Sequence, residues 1–402
     1  MIPARASAVA AGVSMVTAGS MLANVASYGL QLVAADLLGP AGYGEFGPLL
    51  AAQLVLAVPA LALQTVVARD AVHGRSRESL RRTGRWCAGG VTVVAAAAVP
   101  VLSALLGIAA VTVAAAVVSA PVLVLLATEQ GVLQGGSRFR ELGVVLGAAG
   151  AGKVLPAVLA LVLGASAGPA LLASAAGSMG AVLLARLIAD RRRDVATGDV
   201  VGRLRDVLAA SQVQLVLVLL TSVDLLLARR VLDPEQAGIY ALGAVAAKAA
   251  FWLPAAVGVV LYPRMADPRS STAAVRSALA VLGAIGTVVV AGVAVAAPLV
   301  TVVLGAEYAT AAPLLWLFAA QGALLSVVQC ALLASVARGD TRPAALAWIV
   351  VIAQAAAIVV VAESPTSLVV VALCGAAVAT VVTSAVALAP RRVFGSGKGV
   401  SQ

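Results

Sequence analysis

Uninterrupted apolar stretches of about 20 residues recur along this chain, and each is long enough to cross a bilayer as a helix. Twelve are distinguishable, at roughly 11–35, 46–68, 86–107, 109–133, 142–164, 168–189, 207–229, 237–262, 277–304, 309–336, 343–362 and 366–389. Such runs are too long and too uniform to be the alternating strands of a membrane barrel. With 11% of its 402 residues charged and 62% hydrophobic, the chain has no room between spans for a sizeable soluble domain. The expected fold class is all-α integral membrane, with about twelve transmembrane helices.

The net charge of +10 would suggest nucleic acid in a soluble protein. Here the positions of the charges give another account. Arg5 precedes the first span. Arg69, Arg75, Arg77, Arg81, Arg82 and Arg85 surround the second loop, and Arg138 and Arg140 the fourth. Arg186, Arg191, Arg192, Arg193, Arg203 and Arg205 lie about the sixth, and Arg264, Arg269 and Arg276 about the eighth. Arg338 and Arg342 flank the tenth, and Arg391, Arg392 and Lys398 lie in the tail. The intervening loops, "DLLGPAGYGEF", "LGIAAV", "LGASAG", "LDPEQAG", "LGAEYAT" and "AESPTS", hold no Lys or Arg. Only Arg229 and Arg230 come near that side. By the positive-inside rule both termini are expected in the cytoplasm, and no nucleic-acid partner is expected. The first apolar run continues to Ala35 without a short isolated core, so it reads as an uncleaved span and not a signal peptide. Cys87, Cys330 and Cys374 lack metal-ligand spacing, and the lone His73 sits in an Arg-rich loop. No metal or cofactor is expected.

The punctuation between the first two spans returns later. "LLGPAGYGEF" has Pro40, and "VLDPEQAGIY" has Pro234, 194 positions on. Pro59 and Pro254 follow at 195, Arg69 and Arg264 at 195, and "QGVLQGGSRFR" and "QCALLASVARGDTR" at 199. The chain reads as two six-span halves, 1–200 and 201–402. Six is even, so both halves enter from the same side and form parallel repeats, related by a pseudo-two-fold axis along the membrane normal. Transporters of that build hold substrate between the halves. The repeated motif itself reads as a tight outer hairpin.

"LLGPAGYGEFGPLLA", "PALALQTVVARD", "GVLQGGSRF", "TSVDLLLARRVLDPEQAGIYA" and "LPAAVGVVLYPRMA" together resemble the Wzx-like polysaccharide-export flippases of the multidrug/oligosaccharidyl-lipid/polysaccharide (MOP) superfamily. The resemblance runs along nearly the whole chain. It implies two six-helix lobes around a V-shaped cavity, as in MATE transporters. It also implies translocation of a polyprenyl-pyrophosphate-linked oligosaccharide from the cytoplasmic to the outer leaflet of a bacterial cytoplasmic membrane. Lipid II flippases of the superfamily usually carry two further C-terminal helices, whereas this sequence passes from its twelfth run into "RRVFGSGKGVSQ". The drug-extruding branch often has an acid within its first helix. Here that span holds Asn24 and Gln31, with Asp36 at its outer end.

Charges deep in a bilayer usually face a cavity or a partner. Lys153 lies near the middle of the fifth span and Lys248 at similar depth in the eighth, too deep for the side chain to reach an interface easily. At the 195 spacing, the first-half counterpart of Lys248 is Gln53. These lysines are candidates to line the cavity and attract a pyrophosphate or acidic sugar. A structural ion pair, for instance Lys248 with Asp224, is the alternative. Asp224 lies nearer the outer face and either pairs with Arg229, Arg230 or Lys248 or takes part in coupling. Glu129 lies near the cytoplasmic end of span four. Asn24, Gln64, Gln212, Gln214, Gln321 and Gln329 either hydrogen-bond sugars or bridge helices. The substrate-site candidates are therefore Lys153, Lys248, Gln53, Asn24, Asp224 and Gln321.

No enzyme signature is present. "GAAGAGK" ends in Lys153-Val154, not Lys-Ser/Thr, and falls mid-span. The expected function is a flippase for lipid-linked oligosaccharide working by alternating access. Expected partners are membrane lipids, a coupling cation and other polysaccharide-assembly proteins. A cation-coupled drug or metabolite exporter and a non-transporting envelope scaffold are the alternatives. The charge asymmetry gives a direct test of orientation. A cytoplasm-dependent reporter is expected to be active when fused after Gly74 or Arg193 and silent after Gly164 or Pro365; the reverse pattern at both pairs refutes the orientation.

Overall fold

The structure is a computed structural model describing residues 2–190, 204–266, 271–337 and 342–388, with side chains for 14–190, 211–252, 276–335 and 342–388. Arg191, Arg192, Arg193, Arg203, Arg269, Arg338, Arg391, Arg392, Lys398 and the boundary near residue 200 lie outside the described residues. The side chains of Arg5, Arg205, Pro254 and Arg264 do too.

All regular secondary structure among the described residues is helical. In a bilayer the backbone has no water to bond, and a helix satisfies it within one segment. The α-helices are α1 (Ile2–Leu56), α2 (Val58–Val72), α3 (Arg77–Leu106), α4 (Ala110–Val117), α5 (Ser119–Gly135), α6 (Phe139–Val162) and α7 (Ala167–Asp190). There follow α8 (Leu204–Leu220), α9 (Val223–Val231), α10 (Pro234–Ala266), α11 (Ser271–Ala296), α12 (Leu299–Leu304), α13 (Leu315–Ala337), α14 (Arg342–Val361) and α15 (Pro365–Leu388).

Nine described stretches are long and apolar enough to span a membrane. The first of them, Ser14–Val72, has 59 residues, well over twice the roughly 20 that one crossing needs. Inside it Gly39 leaves helical geometry at φ 64° and ψ 176°. Glycine adopts this φ without a Cβ clash, and Pro40 then starts the next helix with a preset φ. Asn24 and Ser27 before the break line the same cavity as Leu54 and Ala57 after it, so the two arms lie side by side. The stretch therefore crosses twice, as the hydropathy pattern predicts. The bent pair α8 and α9, at 43°, makes another crossing, and the 33-residue α10 completes twelve.

Arginines order the basic ends of the first six spans. Arg77 donates to the Ala189 carbonyl at 2.6 Å. Arg138 donates to Ala189 at 2.9 Å and Ile188 at 2.7 Å. Both satisfy the open carbonyls that end α7. Glu129 is buried, accepts two bonds from Arg81 at 2.8 and 2.9 Å, and has Arg186 at 3.5 Å. Its carboxylate is thus engaged by arginines of α3 and α7 and does not extend to the interface.

α1 and α10 pack closely where both begin their inward run. A Cβ on Gly238 would collide with the Pro40 carbonyl oxygen, and one on Gly44 with the Pro234 carbonyl oxygen. Both pairings keep the 194-residue spacing and are reciprocal: Pro40 meets Gly238 as Pro234 meets Gly44. A Cβ on Gly47 would stand 2.7 Å from that of Ala241, its own counterpart at the same spacing. Tyr43, Phe46, Tyr240 and Phe318 are fully buried beside this contact, with Tyr240 and Phe318 edge to face at 4.9 Å. Because the obstruction is backbone, Gly44→Val and Gly238→Val should each destabilise the protein by about 1–3 kcal/mol. Gly292→Val, which meets open space, should be far milder. Thermal unfolding in detergent checks this; equal melting temperatures for the three variants would show that the close approach is unimportant.

Candidate functional site

Two polar centres lie inside the helical body. The first is a cavity of about 250 Å³ bounded by α1, α2, α5, α6 and α7. Its polar lining is Asn24, Ser27, Gln64, Gln130, Lys153 and Ser178, set among Leu and Ala side chains. Ser27 and Ser178 return their hydroxyls to Ala23 and Ser174, each at 2.8 Å, one turn earlier on their helices. Gln64 donates to Gln134 at 3.0 Å. Asn24, Gln130 and Lys153 make no side-chain hydrogen bond or ion pair among the described residues, so their donors face the cavity unused. Among the described residues Lys153 is its only charged lining residue, and no carboxylate of theirs borders it.

Lys153 sits fourteen residues into α6 and nine from its end, about 21 and 14 Å along the axis. A mid-bilayer ammonium costs about 2.5–3.5 kcal/mol even on the lenient insertion scale. Placement in a cavity beside amides and hydroxyls lowers that cost.

The second centre is Asp224, buried at the start of α9. Its Oδ2 accepts from the Tyr240 hydroxyl at 2.7 Å and from Gln321 Nε2 at 2.9 Å. Asp224 Oδ1 and Gln321 Oε1 are buried with no hydrogen-bond partner among the described residues. None of the cations anticipated for Asp224 forms an ion pair with it among the described residues. Arg229 reaches across to Glu45 at 3.8 Å and to the Leu106 carbonyl at 3.4 Å. Lys248, half-buried on α10, interacts electrostatically with Asp224 and Lys153 but forms no ion pair with Asp224.

The six candidates thus separate. Asn24 and Lys153 share the first cavity; Asp224 and Gln321 form the second centre; Lys248 lines neither the cavity nor the Asp224 hydrogen-bond set. Gln53 is buried and donates its amide to the Ala116 carbonyl at 3.3 Å and to Ser119 Oγ, bridging α1 to the α4–α5 junction. The 194 spacing of the reciprocal contacts aligns Lys248 with Leu54, which does line the cavity, and not with Gln53. The sequence does not single out Tyr240, because it belongs to a motif that reads as a turn. Only its burial on α10 brings it to Asp224. Gln130 was visible as a polar residue in an apolar run, but its direction was not.

No family model matches the chain, and no curated protein matches it either. Solved structures do. An inward-facing multidrug-resistance MATE transporter of the MOP superfamily aligns over 92% of this chain and 93% of its own, with TM-score 0.68 and 15% identity. The eukaryotic MATE transporter AtDTX14 aligns over 95% and 96%, with TM-score 0.60 and 13% identity. An outward-facing MATE transporter of the superfamily aligns over 94% of each chain, with TM-score 0.51 and 15% identity. The chain has the MATE/MOP transporter fold and is a multi-pass membrane protein.

The Asp224 centre makes a stability prediction. Tyr240→Phe removes a donor from a buried carboxylate, which should cost about 1.5–3 kcal/mol and lower the thermal unfolding midpoint. Asp224→Asn in the Tyr240→Phe background should restore part of it. A midpoint unaffected by Tyr240→Phe would mean the bond contributes nothing.

Proposed function

We propose that the chain is a flippase that carries a polyprenyl-pyrophosphate-linked oligosaccharide from the cytoplasmic to the outer leaflet by alternating access. The observation that supports this most is the charge of the first cavity: among the described residues it has one ammonium, no carboxylate and unused amide donors. Such a lining suits an anionic, sugar-bearing headgroup and disfavours the cationic amphiphiles of a drug exporter. A scaffold would have no use for an unpaired lysine at that depth. In this reading Lys153 attracts the pyrophosphate, while Asn24 and Gln130 hydrogen-bond saccharide hydroxyls. Lys248 extends the positive field from α10.

The reading takes 1–200 and 201–402 as the moving lobes, with the α1–α10 contact as their pivot. Arg229 with Glu45, Arg229 with the Leu106 carbonyl, and Tyr308 with the Ala35 carbonyl at 2.9 Å join them at the end whose loops lack Lys and Arg. These links, and the better fit to the inward-facing neighbour, support a state closed toward the outside. The orphaned oxygens of Asp224 and Gln321 fit a coupling cation, whose charge would balance the buried carboxylate. The location is taken as a bacterial cytoplasmic membrane with both termini inside, beside other polysaccharide-assembly proteins.

The test is translocation of a polyprenyl-pyrophosphate saccharide by reconstituted protein. Lys153→Gln should lower the rate about tenfold or more with unchanged thermal stability, and Lys153→Arg should retain more activity. Full transport by Lys153→Gln would remove the cavity as the headgroup site.

A further inference from the structure

A larger, wholly different space lies between α11 and α13. It is an open groove of about 560 Å³, lined on α11 by Gly283, Thr287, Val290 and Ala294 and on α13 by Trp316 and Val327. The helices run antiparallel, since a Cβ on Gly286 would meet that of Ala323, while the lining extends to Leu282 and Val327 at one end and Ala294 and Trp316 at the other. α11 is peripheral: Val288 and Val295 are 72% and 82% exposed, so the groove opens toward lipid. Its one hydroxyl, Thr287, donates to the Gly283 carbonyl at 2.9 Å. Apart from the Trp316 indole at its far end, the groove therefore offers a ligand hydrocarbon contact.

Below it stands Arg276, exposed and without an ion pair among the described residues. At 100° per residue, Gly283, Thr287, Val290 and Ala294 all fall within about 40° of Arg276 on the helix surface. One guanidinium thus lies on the same face as the groove, about 10 Å from its near end and about 27 Å from its far end. A phosphate held at Arg276 sends its chain directly into the groove. The length identifies the chain. A leaflet is about half of the roughly 30 Å hydrocarbon core, so an ordinary acyl chain anchored at Arg276 stops near the middle of the groove. Filling it to Trp316 takes a chain longer than one leaflet.

We propose that the α11–α13 groove seats the isoprenoid chain of a polyprenyl phosphate, with its phosphate on Arg276. This rests on the lipid-linked saccharide reading and adds a lateral site that holds the carrier while its headgroup engages the interior. The test is binding of undecaprenyl phosphate to the purified full chain, followed by native mass spectrometry with phosphatidylglycerol as competitor. Gly283→Leu fills the groove from a position whose Cβ meets open space, and Arg276→Gln removes the charge. Each should weaken binding about tenfold, Arg276→Lys should weaken it less, and equimolar phosphatidylglycerol should not displace the probe. Thermal unfolding confirms folding of each variant, and Arg276→Gln decides alone if Gly283→Leu is unfolded. Unchanged binding by the folded variants, or mole-for-mole displacement by phosphatidylglycerol, overturns the proposal. Binding kept by both variants while Lys153→Gln is inactive removes the groove and leaves the flippase. Binding lost while Lys153→Gln transports fully removes the flippase and leaves the groove.

Discussion

The backbone of α1 touches the backbone of α10 at two glycines, and much else in the structure is arranged around that approach. Gly238 lies against the Pro40 carbonyl and Gly44 against the Pro234 carbonyl. Helix pairs in lipid gain little from excluding water, so close packing of small residues carries their association. Each proline fixes where its helix begins, and each glycine lets the other helix in. The four large aromatic side chains buried beside the contact fill the space around it. Displacing either glycine would part the helices and open the Asp224 centre, since Tyr240 sits two residues after Gly238 on the same helix.

Polarity inside the body is divided. The first-half cavity has an ammonium without a counterion, and the second half has a carboxylate held by a phenol and an amide. Neither is neutralised by the other. Unpaired charges in a low-dielectric interior act over longer distances than surface pairs do. Lys248, which interacts with both Asp224 and Lys153, stands where the two fields overlap.

The twelve crossings were legible because hydrocarbon thickness imposes a length that no other environment imposes. The reversal at Gly39–Pro40 was legible because the sequence marks it with residues of unusual backbone freedom and restriction. Lys153 could be singled out by depth alone. The Asp224 centre could not be assembled from sequence: its three members come from α9, α10 and α13, and nothing in the spacing says which faces meet. Gln53, whose amide bridges α1 to the α4–α5 junction, shows the same limit. Periodicity places a polar residue at a level in the membrane, and a neighbouring helix decides whether its amide bridges or faces a cavity. Arg229 looked like a local partner for Asp224, five residues away, and instead extends to Glu45 and Leu106.

The second crossing is interrupted at Ala57, between α1 and α2, whereas the corresponding α10 runs unbroken from Pro234 to Ala266. Pro59 has no amide hydrogen, so the Val55 carbonyl loses its usual helical partner. Ala57 and Ala60 both line the Lys153 cavity. The two halves thus differ at this level: the first changes from α1 to α2 at Ala57, whereas the second stays one helix although Pro254 stands at the position corresponding to Pro59. Because Ala57 and Ala60 line that cavity, its shape and the course of the second span are set by the same residues, so on the proposed transport reading the size of the cargo bears on the helix as well as on the pocket.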